Sequence, residues 1–265
     1  MKIALIGSSG EIGQFIQKSV LLEKKYDYIR YGRTEDRLGS SHGIPFKEFD
    51  FSKDKLFLDK EIDYVIHCAY DFSDLRNSEQ NVNYNLIKNI NFNHDCKIIY
   101  ISSVLAENPF SVYGQVKLLN EILVSKLNGT SVRLGVVESY PPISNVKTLS
   151  DLAKRFRFLV FPGLNSEVLV SNEKTISKSI IDIIENKTKT DASVIYSVTY
   201  ISTLKECIRK LTGNKIKLVN FPLWALTPLF YLSKKIKFLL FFSDKFENLK
   251  ISPFQYSSWV EEKSV

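Results

Sequence analysis

From residue 2 to about residue 140, short runs rich in β-branched and aromatic residues alternate with longer stretches whose apolar positions recur at helical spacing. That alternation is expected of parallel βαβ units, where strands are buried on both faces and helices along one stripe. It predicts strands over Lys2–Gly7, Tyr28–Tyr31, Tyr64–Cys68, Lys97–Ser102 and Ser131–Leu134, and helices over Glu11–Lys24, Ser78–Asn91 and Val112–Leu127. A loop rich in Gly and Ser, Arg33–Pro45, follows the second strand. Beyond residue 140 the pattern is less regular, with Pro141-Pro142 and Pro162-Gly163 marking loops. Thr175–Glu185 reads as a helix, Ala192–Val198 as a strand, and Thr203–Leu211 as a helix stopped by Gly213. The expected fold is α/β: a Rossmann-type, doubly wound parallel sheet over residues 1–140. A smaller C-terminal lobe, 141–265, is interleaved with it and serves to bind substrate.

The stretch from Phe221 to Phe242 breaks this pattern, being almost wholly apolar yet cut by Pro222, Pro228, Lys234, Lys235 and Lys237. Those residues interrupt the run of about 20 apolar residues that a spanning helix needs. The segment is therefore expected to pack in the core or against a second copy of the chain. A peripheral helix lying on anionic lipid is the alternative.

Composition changes this picture only slightly. Apolar residues at 44% and charged residues at 25% of 265 suit an ordinary globular protein. Cys68, Cys96 and Cys207 are odd in number and widely spaced, which favours neither a disulfide framework nor a metal site. The chain opens directly on a strand pattern, and the expected setting is a reducing cytoplasm. A net charge of +7 suits an anionic partner. No interleaving of basic and aromatic residues points to nucleic acid.

The first candidate chemistry is the loop Gly7-Ser8-Ser9-Gly10-Glu11-Ile12-Gly13, which joins the first strand to the first helix. In that context Gly7 permits a tight turn, Gly10 lets backbone approach a pyrophosphate, and Gly13 lets the helix pack on the sheet. A dinucleotide is the implied cofactor. The second strand ends Ile29-Arg30-Tyr31-Gly32-Arg33, with no acid for a ribose 2′-hydroxyl. Arg33, with Arg30 in reserve, suits a 2′-phosphate, so NADP(H) is favoured and NAD(H) is the alternative.

The second is Tyr113 and Lys117, four residues apart and so on one face of a predicted helix. An ammonium near a phenol is expected to lower its pKa and fit it for proton transfer. Upstream, the strand Ile98–Ile101 ends in Ser102-Ser103, at the sheet edge where ligands bind in such folds. Ser103 is the better placed to hold a substrate oxygen.

In this order, the parts resemble the extended short-chain dehydrogenase/reductase family, which includes nucleotide-sugar epimerases, dehydratases and reductases. Asp50-Phe51 after the third strand matches the family's adenine contact, and Cys68-Ala69-Tyr70 matches the loop beneath the cofactor. Asn83 matches the family's helix asparagine, and Arg133-Leu134-Gly135 the strand beside the nicotinamide. The resemblance implies that Ser9, Glu11, Ile12, Ser102 and Arg133 join the glycines around the cofactor. It further implies that Lys117 holds the nicotinamide ribose while Ser103 and Tyr113 address the substrate. Sugar dehydratases of the family carry Asp-Glu after the catalytic hydroxyl; here Val104-Leu105 follows Ser103, which argues against dehydration.

The activity this implies is NADP-dependent reduction of a keto group on a nucleotide-activated sugar. The alternatives are an NAD-dependent 4-epimerase, a hydroxysteroid- or flavonoid-type reductase, and a non-enzymatic dinucleotide sensor.

Overall fold

The computed structural model describes residues 1–35, 42–50, 53–72, 74, 81–92, 96–109, 111–138, 145–187, 193–213 and 216–221. Phe51, Pro141-Pro142 and the apolar stretch from Pro222 onward lie outside the described residues. The chain forms β1 (Lys2–Ile6), α1 (Glu11–Ile16) with wider π-helical turns over Gln17–Leu22, β2 (Asp27–Gly32), β3 (Phe46–Glu48), β4 (Leu56–Phe57) and β5 (Tyr64–His67). Next come β6 (Ile90–Asn91), β7 (Lys97–Ser103), α2 (Val112–Lys126), β8 (Thr130–Leu134), β9 (Val136–Glu138), α3 (Asn145–Phe156) and β10 (Phe158–Pro162). β11 (Glu167–Asn172), α4 (Glu173–Ile184), β12 (Val194–Ser197), β13 (Tyr200–Thr203), α5 (Leu204–Thr212) and β14 (Lys217–Phe221) follow.

One seven-stranded sheet, in the order β12-β8-β7-β5-β1-β2-β3, carries the first half of the chain, and all its pairs are parallel. Because β1, β5 and β7 are covered on both faces, their residues are apolar without alternation: Ile3–Ile6, Val65-Ile66 and Ile98–Ile101 are all buried. The strand order reverses beside β1, where Ile6 pairs with Tyr31 on one side and His67 on the other. At such a reversal the connecting loops diverge to opposite faces and leave a crevice beyond the strand ends, where ligands bind in sheets of this kind. The doubly wound parallel sheet expected from the alternating pattern is present.

The residues group into two compact units. The first holds Met1–Leu134 and Asn172–Val198; the second holds Gly135–Ser171 and the described residues from Thr199 on. Asn172–Val198 returns to the first unit because β12 pairs with β8 and the Tyr64 hydroxyl donates to the Ile184 carbonyl at 3.1 Å. The chain therefore changes unit three times. In the second unit β10 pairs with β14, and β13, β11 and β9 form a three-stranded sheet. Its core gathers Ala153, Leu159, Phe161, Leu164, Val170, Leu204 and Ile208. Thr203 and Glu206 close a reciprocal cap on α5, as the sequence pattern of that helix start requires.

The predicted helix over Ser78–Asn91 is not found in its described part. Val82–Asn85 is a single 3-10 turn, and Ile90-Asn91 is a short strand paired with β4. Asparagine side chains compete with the helical ladder: Asn81 Oδ1 accepts from the Asn83 amide at 2.9 Å. No helix among the described residues is long and apolar enough to cross a membrane.

Gly13 marks where α1 meets the first turn most closely. A Cβ there would lie 2.2 Å from the Gly7 carbonyl oxygen and 2.9 Å from the Ser8 Cα, both backbone atoms with no freedom to retreat. Gly13→Ala is expected to lower unfolding free energy by about 1–3 kcal/mol in urea titrations. Gly10→Ala, whose Cβ would meet only the Gly7 oxygen at 3.4 Å, should cost much less.

Candidate active site

β7 delivers Ser103 to its carboxyl end, and the chain turns through Val104–Ala106 before Ser111 caps α2 by accepting from the Gly114 amide at 3.1 Å. Gly114 makes this return tight, because any Cβ would lie 2.6 Å from the Leu105 carbonyl oxygen. The first turn of α2 therefore rests on the turn that follows Ser103, and the Tyr113 hydroxyl shares a hydrogen bond with that of Ser103. One helical turn on, the Lys117 ammonium is buried at 4% exposure and donates to the Ile101 carbonyl at 2.8 Å. It lies 4.8 Å from the centre of the Tyr100 ring, 5.5 Å from Tyr70 and 5.7 Å from Tyr113. Tyr70 meets Tyr113 edge-on at 4.9 Å, and Phe72, itself 70% exposed, stacks on it at 6.1 Å.

This geometry brings Ser103, Tyr113 and Lys117 together and alters their expected electrostatics. Burial pushes the Lys117 ammonium down to about 8, with Cys68 and Glu121 opposing the shift. Burial also pushes the Tyr113 phenol up to about 12, against the hydrogen bond with Ser103. The lowered phenol pKa expected from the Tyr–Lys spacing is thus not realised in the protein without ligand. Desolvation outweighs the Ser103 hydrogen bond, and the ammonium spends its close contact on a backbone carbonyl.

The glycine loop has the shape its sequence implies. Gly7 takes a positive φ of +85°, and a Cβ on it would sit 2.6 Å from the Ala69 amide, so the loop presses on the chain leaving β5. Gln14 and Gln17 hold it from behind by donating to the Ser9 and Ser8 carbonyls at 2.8 and 3.0 Å. Ser9 and Ile12 are partly exposed, and Gly10 and Glu11 lie at the surface. This is a cradle that side chains would fill, and it fits a dinucleotide pyrophosphate. Asp50 sits at the turn after β3, its carboxylate 3.4 Å from the Lys53 ammonium. Cys68 donates its thiol to the Ile6 carbonyl at 3.0 Å, and burial pushes it up to about 12. His67, buried beneath the site, is pushed down to about 3 by desolvation and then by Lys117.

Several residues expected at the cofactor also have partners within the protein. Ser102 donates to Glu121 Oε1 at 2.5 Å, and Arg133 forms a two-pronged ion pair with the same carboxylate, Nη2 at 2.8 Å and Nε at 3.0 Å. Arg133 also meets the Tyr196 hydroxyl and ring. Asn83 is wholly buried and spends its amide on the backbone of Asp71. Arg30, the reserve for a 2′-phosphate, is buried and bound to Glu35 at 2.9 Å and to the Ile44 carbonyl at 2.6 Å. Arg33 remains half exposed but pairs with Asp71 at 3.1 Å. Sequence reading passed over Glu121, although Tyr113, Lys117 and Glu121 follow one another at four-residue steps along one helix face. Asp71 carries no such signal, because its partners lie far away in the chain.

Comparison with protein-family profiles and with curated protein sequences finds no match. Solved structures do match. The NAD-dependent NDP-hexosamine 5,6-dehydratase TunA superimposes with a TM-score of 0.64 at 14% identity, over 83% of this chain and 84% of its own. UDP-glucose 4-epimerase from Thermotoga maritima, with UDP-glucose, gives 0.62 at 17% identity, over 84% and 86%. UDP-glucuronic acid 4-epimerase from Bacillus cereus, in complex with UDP-glucuronic acid and NAD, gives the same values. The chain shares the doubly wound, parallel-sheet fold of these three structures.

Two outcomes test the electrostatics. Glu121→Ala strands the buried Arg133 guanidinium and should cost about 3–5 kcal/mol in chemical denaturation. Lys117→Met should instead raise the stability of the ligand-free protein at pH 7, by up to about 3 kcal/mol, because an ammonium held near pKa 8 is costly to bury. The sign follows from proton binding. Between pH 8 and 10.5 the unfolded chain keeps the Lys117 proton that the folded chain has lost, so native stability rises with pH. The advantage of Lys117→Met should therefore be constant below pH 8 and shrink through that window in melting curves.

Proposed function

We propose that this chain is a nicotinamide-dinucleotide-dependent enzyme that oxidises or reduces a carbon–oxygen centre of a nucleotide-activated sugar. The observation that carries the reading is the convergence of Ser103, Tyr113 and Lys117 on one desolvated point at the carboxyl edge of the sheet. A phenol and a hydroxyl already hydrogen-bonded to each other present paired groups to a substrate oxygen, one able to hold it and one able to move its proton. The Gly7–Gly13 cradle and the Asp50 turn would hold the dinucleotide, with Ala69 and Tyr70 beneath it. When bound, that group supplies or accepts the hydride.

The chain's own residues do the rest. Ser103 Oγ fixes the substrate oxygen, and Tyr113 Oη gives its proton to the oxygen when a ketone is reduced or takes one when an alcohol is oxidised. Lys117 orients the ribose and, once released from the Ile101 carbonyl, stabilises the phenolate. Tyr70 and Phe72 pack their rings against that of Tyr113. The nucleotide-sugar substrate is supported by the named ligands of the similar structures, UDP-glucose and UDP-glucuronic acid, and by the basic charge of the chain. Reduction of a keto sugar is the first reading. Epimerisation at the 4-position is the second, and the engagement of Arg33 by Asp71 favours it, since an epimerase retains NAD between turnovers. Elimination of water is disfavoured because Val104-Leu105 occupies the positions after Ser103 where a carboxylate would be needed.

The deciding experiment incubates the chain with nucleotide 4-keto sugars plus NADH or NADPH, and with UDP-hexoses plus NAD+, following cofactor absorbance and product identity. Loss of cofactor absorbance with a keto sugar supports reduction; interconversion of hexoses without net cofactor change supports epimerisation. On the substrate so identified, Tyr113→Phe is expected to lower turnover by about 10²-fold or more while leaving the melting curve and dinucleotide affinity near the parent's. Near-normal turnover in Tyr113→Phe rules the phenol out as the proton carrier.

A further inference from the structure

The second strand of this sheet ends without an acid, yet the structure supplies one from elsewhere. Asp71 follows β5, Arg33 follows β2, and these strands lie on either side of β1, beyond whose end the glycine cradle begins. The Arg33 Nη1 lies 3.1 Å from Asp71 Oδ2, with the Arg33 side chain 53% exposed and that of Asp71 only 10%. The two ends of this pair are anchored very differently. The Asp71 amide donates to Asn83 Oδ1 at 2.7 Å, and its carbonyl accepts from Asn83 Nδ2 at 2.9 Å. Asn83 is in turn fixed by Asn81 Oδ1, which accepts from both its nitrogens at 2.9 and 3.0 Å, and by Asn120 Nδ2, which donates to its carbonyl at 3.0 Å. The asparagine ladder thus fixes the Asp71 backbone, from which a short and nearly buried carboxylate projects, and Arg33 is the longer, more exposed side chain that comes to it.

We propose that Asp71 is the residue that sets dinucleotide specificity, by neutralising Arg33 and so selecting NAD over NADP. This rests on the dinucleotide reading of the glycine cradle given above. A 2′-phosphate that engages Arg33 must share the guanidinium with a carboxylate whose backbone is anchored beside it, and like charges brought together in this way discriminate strongly between ligands. An uncharged 2′-hydroxyl carries no such penalty. The guanidinium that on sequence alone suits a 2′-phosphate is, in the folded chain, already half of a salt bridge.

The test measures NAD+ and NADP+ binding to the full chain by calorimetry at low salt, for the parent and for Asp71→Asn. The substitution keeps side-chain size, and the Asn83 bonds go to the Asp71 backbone, so the loop retains its anchor. The parent should bind NAD+ more tightly than NADP+. Asp71→Asn should improve NADP+ relative to NAD+ by about ten-fold or more, with the gain shrinking as ionic strength rises. Thermal melting checks that the variant folds, and Asp71→Ser provides a second removal of the charge should it not. An unchanged NADP+/NAD+ ratio in a folded variant, or a parent that already prefers NADP+, overturns the proposal and leaves the dinucleotide reading standing. A parent that binds neither dinucleotide overturns that reading and this one with it.

Discussion

A buried ammonium is the constraint around which the first unit is organised. Lys117 lies in a place with almost no solvent, and its charge is met by one carbonyl and by the faces of three tyrosines. Such a site costs stability, and a chain selected for stability alone would place an aliphatic side chain there. The surrounding structure absorbs the cost by rigidity. Gly114 lets α2 close onto the turn after Ser103, and the Glu121–Arg133 pair one turn below locks the same helix to β8. A charge retained at this cost makes physical sense when the ligand that enters uses it.

The carboxylate of Glu121 is the counterpart of that charge. It accepts from the Arg133 guanidinium and from the Ser102 hydroxyl, and its field reaches Lys117. Because these groups occupy α2, β7 and β8, the helix that carries Tyr113 is referenced to two central strands. The asparagine ladder performs a similar task for the loop after β5: Asn120 on α2 bonds the Asn83 carbonyl, and Asn83 fixes Asp71. The candidate catalytic helix and the loop bearing Asp71 therefore share one rigid polar frame, with the chemistry at one end and the ion pair at Arg33 at the other.

Much of this was legible in the sequence, for reasons that differ by feature. A parallel strand buried on both faces must be apolar throughout, so β1, β5 and β7 announced themselves as runs, and α2 and α4 as periodic stripes. Gly7 and Gly13 were legible because a positive φ and a backbone contact of 2.2 Å leave no other residue. The helix expected over Ser78–Asn91 was misjudged because its asparagines satisfy backbone groups locally, which periodicity does not register.

The sequence by itself determined the sheet, the glycine cradle, and the placement of Ser103, Tyr113 and Lys117 on neighbouring elements, since each follows from local spacing. Tertiary structure alone decided what those groups experience. Whether the Tyr113 phenol falls toward neutrality or climbs to about 12 depends on how much solvent the fold removes from it. Whether Arg33 is a free cation or half of an ion pair depends on Asp71, a residue 38 positions away brought alongside by strand order. Charge is read along the chain, but its energy is set by what surrounds it in space, and those neighbours come from distant segments that no local pattern connects.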